Sequence, residues 1–451
     1  MRTALHLSHW LGAAALGAVL APMDLSHASG FALLEQSASR LGTAFAGTGA
    51  AADDATTMYF NPAGLVYLGE AQVLLIPSAV EITSEFHDRG STASLGQPLG
   101  NDGGDAGGWN LVPSAYASMP LGGAKKWAIG IGLNAPFGLK TEYDDGWIGR
   151  FQALKSEIKT INVNPTIAYR FNDAVALGVG LSYQQIDAEL TNAVNYTPVV
   201  FQASGLVVPG LEGGARVEGD DTGWGFNFGA LLQVSPATRV GIAYRSSIDY
   251  DVAGSASFEP PTSASGTVNA IISGASGPGG PLADGPVSVD LELPDSALVS
   301  LHQRIGERFE LLADIAWTGW SSVQELRVVR EGGTTLSVTP ELWEDTWRFA
   351  LGGAFAYTST LKFRAGIAHD ESPVSDSTRT PRLPDVDRLW LAIGTHWQQS
   401  EMISMDFAYA HLFSDDVPLD QTAGDPLVYG SLVGEQSSSI NIVSVQLNIR
   451  F

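Results

Sequence analysis

The residue types that most often carry out chemistry are few and scattered in this chain. Its eight histidines show no metal-binding spacing such as His-Glu-x-x-His, and His302, His369, His396 and His411 fall on four different predicted strands. The absence of cysteine excludes disulfides and thiolate ligands. A serine, a histidine and an acid could still meet on one wall of a β-barrel, and the sequence leaves that lipase-like alternative open. We therefore predict no enzymatic activity, no catalytic or metal site and no cofactor.

Phosphate-binding chemistry has little support either. The chain carries 48 Asp and Glu against 24 Lys and Arg, a formal net charge of −24, whereas binding to nucleic acid needs clustered cations. The Gly-rich stretch 273–285 follows no strand-to-helix pattern, which favours a mobile external loop over a phosphate cradle. We expect no nucleic-acid partner.

The elements that must position any functional side chain are strands. From residue 70 onward the apolar residues recur with a period of two, as in the closing run 441–451. Short connections (172–173, 235–237, 306–307, 358–359) alternate with long ones, which is typical of a bacterial outer-membrane barrel. The fourteen predicted strands lie at 71–82, 110–119, 127–138, 161–171, 174–190, 223–234, 238–250, 296–305, 308–319, 346–357, 360–369, 386–398, 403–413 and 440–451.

A soluble β-sandwich or barrel would also alternate, but it would face its apolar residues inward and would rarely keep short and long connections in strict order. A closed barrel in lipid pairs every backbone group and turns the small and polar face toward the lumen. The sequence thus predicts an all-β transmembrane barrel with both termini on the periplasmic side. On its lumen face we expect cations that pair with acids such as Asp314 and Asp370, namely Arg170, Arg245, Arg304, Arg348 and Arg364.

The chain begins with segments that are not strands. Residues 1–28 have the apolar run (11–21) and the small-x-small end of a secretory signal peptide, and that run is too short to cross a bilayer as a helix. Residues 29–69 are expected to form short helices ahead of the barrel at 70–451. Asn61-Pro62 is a helix start signal, with Asn at the cap and Pro at the first position. Taken locally this is only a cap; the alternative is that the segment plugs the wide lumen of a fourteen-stranded barrel.

Six segments occur in order along the mature chain, and together they resemble the FadL family of outer-membrane transporters for long-chain fatty acids and, in its TodX-like branch, aromatic hydrocarbons. The segments are "SGFALLEQSASRLGTAFAG", "AADDATTMYFNPAGL", "PFGLKTEYDDGWIGR", "WEDTWRFALGGAFAY", "LKFRAGIAHDESPV" and "RLPDVDRLWLAIGTHW". The resemblance implies a fourteen-stranded barrel with an N-terminal hatch. It also implies that substrate leaves sideways into the bilayer, through a gap made by a kink in the third strand.

The resemblance assigns roles to two groups of residues. Hatch and gating roles carry over to Phe31, Asn61, Pro62 and Ala63, with Phe31 reaching toward the substrate pocket and the Asn-Pro-Ala step packing near the kink. The kink itself corresponds to Asn134, Pro136, Phe137 and Gly138, because Pro136 cannot donate to the strand ladder and Gly138 weakens a strand interior. The alternative is that Pro136 and Gly138 simply end the strand and open the next loop.

The substrate head group is less well defined by the resemblance. The archetypal family member has basic residues at two places that fall here near Asn192 and Thr339, neither of which is basic. Long-chain fatty acids are the leading expectation, and neutral aromatic or aliphatic hydrocarbons are the rival. A general diffusion porin and a structural barrel without transport stay as further alternatives. We expect a monomer in the bacterial outer membrane, in contact with outer-membrane lipid and lipopolysaccharide.

Overall fold

The computed structural model describes residues 30–422 and 424–451, so the predicted signal peptide at 1–28 lies outside the described residues. Fourteen antiparallel strands close into one barrel, in which strand 1 pairs with strand 14 from Gln72 opposite Arg450 to Asp88 opposite Gly434. The predicted fold class is confirmed. Strands 1 to 7 comprise Gln72–Asp88, Gly108–Leu121, Trp127–Asn134 with Gly138–Glu142, Lys155–Arg170, Val175–Asn195, Glu212–Ser235, and Thr238–Arg245 with Ile248–Glu259.

Strands 8 to 14 comprise Gly285–Leu293 with Ser296–Ile305, Phe309–Thr318, Thr346–Ala356, Leu361–Asp370, Arg388–Gln398, Ile403–Phe413, and Leu432–Arg450. A loop hairpin (Glu325–Arg330, Thr335–Pro340) and a short strand (Val417–Gln421) add to the wall at the long-loop end. The helices are short: Ala38–Leu41, Thr57–Phe60, Thr197–Ser204, Gly266–Ser276 and Pro426–Tyr429, with 3₁₀ turns at Pro62–Tyr67 and Trp320–Ser322.

Several strands extend further at the long-loop end than the sequence pattern indicated. Strand 6 was predicted at 223–234, but it begins at Glu212, which pairs with Asn195 at the end of strand 5. These outer ends have water on both faces, so they lack the apolar alternation that marks a strand in lipid. Of the stretch 273–285, predicted to be a loop, residues 277–284 do form a loop, while 273–276 complete the helix Gly266–Ser276 and 285 begins strand 8.

The two faces of the wall differ as the alternation predicted. On strand 14 the outward Val443 is 46% exposed, whereas the neighbouring inward Ser444 is 1% exposed. Aromatic side chains gather outside near both rims, with Trp127 and Tyr169 ring centroids 4.3 Å apart at one rim and Tyr183 and Trp224 4.8 Å apart toward the other. An apolar band between aromatic girdles is the outer surface that a bilayer requires.

Residues 30–69 lie inside the barrel. Leu33, Leu41 and Phe45 belong to one apolar cluster with residues of strands 9 to 14 and of strands 1 and 2. Met58 and Leu65 belong to a second cluster with residues of strands 1 to 6. This segment packs directly against the barrel wall at positions where the wall has glycine. A Cβ on Gly241 would lie 1.9 Å from the carbonyl oxygen of Gly49. We call residues 30–69 the hatch from here on.

Candidate functional site

The third strand is interrupted inside the barrel wall. It pairs with strand 2 from Trp127 to Leu133, but the following piece, Gly138–Glu142, pairs with strand 4. Asn134 lies opposite Asn162 and Gly138 lies opposite Lys159, so strand 3 has one residue more than its partner across the interruption. Beyond Leu133, strands 2 and 3 share no ladder pair among the described residues, which leaves a gap in the hydrogen-bonded wall.

The start of the hatch lies along this interruption. The amide of Leu33 donates to the carbonyl of Pro136 at 2.8 Å, and the amide of Gly138 donates to the carbonyl of Phe31 at 2.8 Å. Ala32 and Phe137 face each other as an antiparallel bridge. The N-terminal segment therefore takes the place of a missing strand partner for the kinked piece.

Gln36 spans the gap between the two separated strands. Its Nε2 donates to the carbonyl of Ala135 at 2.7 Å, on the strand 3 side. Its Oε1 accepts from the hydroxyl of Ser114 at 2.8 Å, on strand 2. One hatch side chain thus replaces the backbone bonds that strands 2 and 3 do not make here. Sequence reasoning missed Gln36, because nothing in its local pattern separates it from a surface glutamine.

Four aromatic rings meet at the N-terminal part of the hatch, where three of them surround Phe31. Phe31 is 3% exposed, and its ring centroid lies 5.0 to 5.8 Å from those of Phe137, Trp320 and Trp343. The two tryptophans come from the connection between strands 9 and 10 and lie 5.2 Å from each other. We call these four residues the aromatic box. It joins the hatch, the kink and an external loop in one apolar cluster.

The Asn61-Pro62-Ala63 step is placed differently from the expectation that it packs near the kink. It begins the 3₁₀ turn Pro62–Tyr67, with the Asn61 side chain accepting from the Ala63 amide at 3.1 Å. The Asn61 Nδ2 donates to the carbonyl of Gly49 at 2.7 Å and to that of Ala230, on strand 6, at 3.0 Å. The step fastens the body of the hatch to strand 6, whereas residues 31–36 contact the kink.

A cavity of about 130 Å³ lies between the hatch and the wall. That volume is below the roughly 300 Å³ at which small-molecule pockets usually begin, so a long-chain ligand requires the hatch to move. The lining is mainly apolar, and it also contains two arginines, one buried acid and the polar side chains Thr48, Asn227, Ser296 and Thr318. Its members include Leu33, Leu34, Phe45, Tyr59, Phe60, Pro136, Phe137, Leu298, Arg245, Arg348 and Asp314.

The lumen cations do not pair with acids as predicted. Of the five arginines expected to do so, only Arg364 has a carboxylate within 4.0 Å among the described residues, and that partner is Asp406 at 2.5 Å. Asp314 instead accepts from the amide of Gly47 at 2.8 Å and from the amide and hydroxyl of Thr48. Hatch amides therefore satisfy the acid that strand alternation had assigned to an arginine.

A cation does lie at one of the places where the sequence had none. Arg382, from the connection between strands 11 and 12, donates to Ser156 Oγ at 3.1 Å and to Asn192 Oδ1 at 3.4 Å. Burial lowers the pKa of Arg382 to about 10, which leaves it charged at neutral pH. Sequence alignment at Asn192 could not find Arg382, since it arrives from a loop 190 residues further along the chain.

Glu35 is a buried acid of the hatch. Its side chain is 1% exposed, and neither carboxylate oxygen has a hydrogen-bond partner within the described ranges. Burial raises the pKa of Glu35 to about 7, against the opposing effects of the nearby backbone at Leu34 and Glu35 and of Arg388. A carboxyl group in such surroundings favours its neutral form.

The short-turn end of the lumen has the opposite character to the apolar cavity. A second cavity of about 340 Å³ opens there beside the turn 358–360 and is lined largely by charged side chains. They include Arg364 and Asp406, with Nδ1 of His396 3.1 Å from Asp406. Asp53 of the hatch is ion-paired with Arg40, and although burial opposes it, this guanidinium holds the pKa of Asp53 below its usual range.

In the part of the chain that the structure describes, no three His, Asp or Glu side chains are grouped so that they could hold a metal ion. Within residues 30–422 and 424–451, no helix is long and apolar enough to cross a bilayer.

Comparisons with known proteins agree over nearly the whole chain. A family model described as "Outer membrane protein transport protein (OMPP1/FadL/TodX)" matches residues 19–451. A long-chain fatty acid transport protein of Escherichia coli O6:H1 is 30% identical over 421 residues, covering 88% of this chain and 89% of the relative. A 47 kDa outer membrane protein of Pasteurella multocida is 31% identical and covers 85% of this chain and 87% of that protein.

Solved structures share the fold. The crystal structure of a Pseudomonas aeruginosa FadL homologue superposes with a TM-score of 0.85 at 25% identity, covering 94% of this chain and 100% of that one. The Pseudomonas putida toluene transporter TodX superposes with a TM-score of 0.66 at 18% identity, covering 88% and 94% of the two chains.

Proposed function

Because the chain belongs to the OMPP1/FadL/TodX family of outer membrane transport proteins, we propose that it takes up hydrophobic compounds through an apolar cavity, a movable hatch and a lateral exit. It is an outer-membrane protein, and its relatives include transporters of long-chain fatty acids and of toluene. Long-chain fatty acids are the leading substrates, with neutral hydrocarbons as the second candidate.

The observation that carries the proposal is the pairing of the hatch with the interrupted third strand. Phe31 and Leu33 hold the kink through two backbone hydrogen bonds of 2.8 Å. Since strands 2 and 3 are unpaired beside it, displacement of this segment opens a passage from the cavity to the lipid-facing side. Pro136 and Phe137 border both the cavity and the gap, so the substrate has a short apolar path between them. In this scheme Phe31 is the element displaced, and Asn61, Pro62 and Ala63 hold the rest of the hatch in place.

The charged short-turn end argues against an exit along the barrel axis. An apolar molecule leaving that way would cross the cavity that holds Arg364, Asp406 and Asp53, where it would meet mainly charged and polar side chains. A sideways exit delivers the same molecule directly into hydrocarbon. This contrast also argues against a general diffusion porin, in which a polar path would run through the whole lumen.

The remaining assignments belong to the same proposal. Residues 1–28 form a signal peptide, 29–69 the hatch and 70–451 the barrel. The protein has no catalytic role, works as a monomer and is surrounded by outer-membrane lipid and lipopolysaccharide.

A reversible cross-link tests whether the hatch moves. Ala32 and Phe137 face each other across an antiparallel bridge with hydrogen bonds on either side, which is the close, non-hydrogen-bonded type of pair that a disulfide can join. The chain has no cysteine, so an Ala32→Cys, Phe137→Cys double variant carries no competing thiol. We expect oxidation to stop uptake of labelled oleate and of toluene, and a reductant to restore it.

Each single cysteine variant, treated in the same way, serves as the control for the loss of the Phe137 ring and for oxidant damage. Equal uptake by the oxidised and reduced double variant, with the disulfide shown by gel shift, would contradict hatch displacement. Large ohmic conductance that the cross-link does not change would favour the porin instead.

A further inference from the structure

The hatch contains a strained turn at Ala44 and Phe45. Both residues adopt left-handed backbone conformations, with φ of 49° and 56°, and neither is glycine. Such residues are uncommon and persist only when their surroundings hold them. The turn borders the cavity through Phe45.

Arg348, on strand 10, holds this turn. Its Nη2 donates to the carbonyl of Ala44 at 2.5 Å, and its guanidinium lies 5.8 Å from the ring centroid of Phe45. The acceptor is the uncharged backbone carbonyl of Ala44, which is one of the two strained residues. Arg348 therefore links the cavity wall to the conformation of the hatch.

The same arginine lacks an anionic partner. It is 8% exposed and lines the cavity, and its Nε has no hydrogen-bond partner among residues 30–422 and 424–451. Asp370 is its register neighbour on strand 11, yet no carboxylate of the described chain comes within 4.0 Å of the guanidinium. Asp370, Asp314 and Glu35 act on the guanidinium only from a distance, without contact. A buried cation with a free donor and no carboxylate in contact is costly to keep, and it is a suitable partner for an anion from outside.

A second cavity arginine repeats the arrangement. The Nη2 of Arg245, on strand 7, donates to the carbonyl of Tyr59 at 2.8 Å, and its guanidinium lies 4.4 Å from the Tyr59 ring centroid. Like Arg348, it donates a hydrogen bond from its charged guanidinium to a neutral backbone carbonyl of the hatch. Asp314, the acid that lines the same cavity, is already occupied by hatch donors and by Ser300 Oγ at 2.5 Å.

We propose that Arg348, assisted by Arg245, binds the carboxylate of an amphiphilic substrate and in doing so releases the strained Ala44–Phe45 turn of the hatch. The inference rests on the proposed function and sharpens its substrate class. A carboxylate is a stronger acceptor for a guanidinium than a peptide carbonyl, and it can take two parallel N–H bonds. Once Arg348 turns to the substrate, the Ala44 carbonyl loses its donor, and the turn relaxes to ordinary backbone angles.

In this scheme the carboxylate head group both binds to Arg348 and triggers release of the hatch. An acid and a neutral molecule with the same chain fill the apolar lining equally, but only the acid competes for Arg348. Acidic amphiphiles therefore unlock the hatch more readily than hydrocarbons or alcohols of equal length. Arg348 is a specificity-determining residue in this scheme.

The test compares dodecanoate with 1-dodecanol, which has the same chain and no charge. Binding to purified protein is measured at a pH where dodecanoate is ionised, together with protease cleavage within residues 30–69 as a readout of hatch release. Arg348→Met also loosens the turn, and that change affects both ligands, so the informative quantity is the ratio of the two affinities. Since charge-assisted hydrogen bonds contribute about 1.5–3 kcal/mol, Arg348→Met should lower the affinity for dodecanoate relative to dodecanol roughly 10- to 100-fold. Arg348→Lys keeps the charge without the fork and should restore part of the loss.

The matched control is Arg327→Met, an exposed loop arginine that pairs with Glu325. Folding of each variant is checked by its heat-modifiable mobility on gels. The inference is overturned if Arg348→Met weakens both ligands equally, or if dodecanoate still binds normally and exposes the hatch to protease. Failure of the proposed function would look different, because the wild-type protein would then bind and transport neither ligand.

Discussion

Truncating the Phe31 side chain should release residues 30–36 of the hatch from the wall. Phe31→Ala removes a ring that is 3% exposed and that contacts Phe137, Trp320 and Trp343 at centroid distances of 5.0 to 5.8 Å. Replacing a buried Phe by Ala costs about 3–5 kcal/mol, and every 1.4 kcal/mol is a factor of ten. Because the barrel wall does not depend on this ring, we expect the loss to fall on the seated state of residues 30–36.

The population of molecules with a displaced N-terminal segment should then rise by a factor on the order of 10² to 10³. A displaced state that holds about 0.1% of wild-type molecules would become a large share of the variant. The apparent affinity of a ligand scales with the fraction that is competent to bind it, so the half-saturating concentration for uptake should fall. Protease cleavage within the hatch should become faster in parallel.

Two measurements check this: the concentration dependence of oleate uptake in cells, and the cleavage rate of purified protein. The matched control is Phe363→Ala, a Phe that is 45% exposed on the outward face of strand 11. A folded Phe31→Ala protein with wild-type half-saturation and wild-type cleavage would refute the view that the aromatic box keeps the hatch seated.

Three further outcomes are expected. Pro136→Thr with Gly138→Val should restore strand pairing at the kink and abolish uptake in a folded barrel, whereas Pro165→Thr, on an outward position of strand 4, should transport normally; transport by the double variant would contradict the lateral exit. Gly241→Val places a side chain against the hatch backbone and should destabilise the seated hatch by about 1–3 kcal/mol, which would be seen as faster proteolysis of residues 30–69. The control Gly285→Val should be cleaved at the wild-type rate, and equal cleavage rates for the two variants would argue against close packing at Gly241. Burial raises the pKa of Glu35 from 4.5 to about 7, so near neutral pH the seated hatch binds a proton that the released hatch loses. The free energy of seating should therefore weaken by about 3 kcal/mol as pH rises from about 4.5 to 7. Glu35→Gln should remove this pH dependence of hydrogen exchange in the hatch, and a variant that keeps it would refute the assignment.

The barrel was largely predictable because lipid imposes a strict rule on every strand. Alternation within the bilayer identified fourteen strands. The interruption at Pro136 and Gly138 was expected from the family resemblance together with these two residue types, with a plain strand end as the alternative. The outer end of strand 6, from Glu212 to Asp221, was not predictable from alternation, since it faces water on both sides and forms only because strand 5 lies beside it.

The site was less predictable because its key contacts join distant parts of the chain. Alternation placed Arg348 on the lumen face correctly, yet it assigned acids as its partners, because it could not show that hatch amides occupy Asp314. Neither of the two left-handed residues, Ala44 and Phe45, is a glycine, so the sequence does not mark them as the strained positions and only the packed structure reveals them. Arg382 was overlooked for the same reason.

The contacts of Gly30 also determine where a label can be attached without disturbing the hatch. Gly30 has a φ of +59°, its amide donates to Asp385 Oδ2 at 2.8 Å, and a Cβ added to it would come within 2.7 Å of the Trp320 ring. A purification tag or fluorophore joined to the chain just ahead of Gly30 would lie close to these contacts and would perturb the segment whose movement is to be observed. The short turn at 358–360, exposed at the other end of the barrel, offers an attachment point for surface immobilisation and single-molecule recording that leaves the hatch undisturbed.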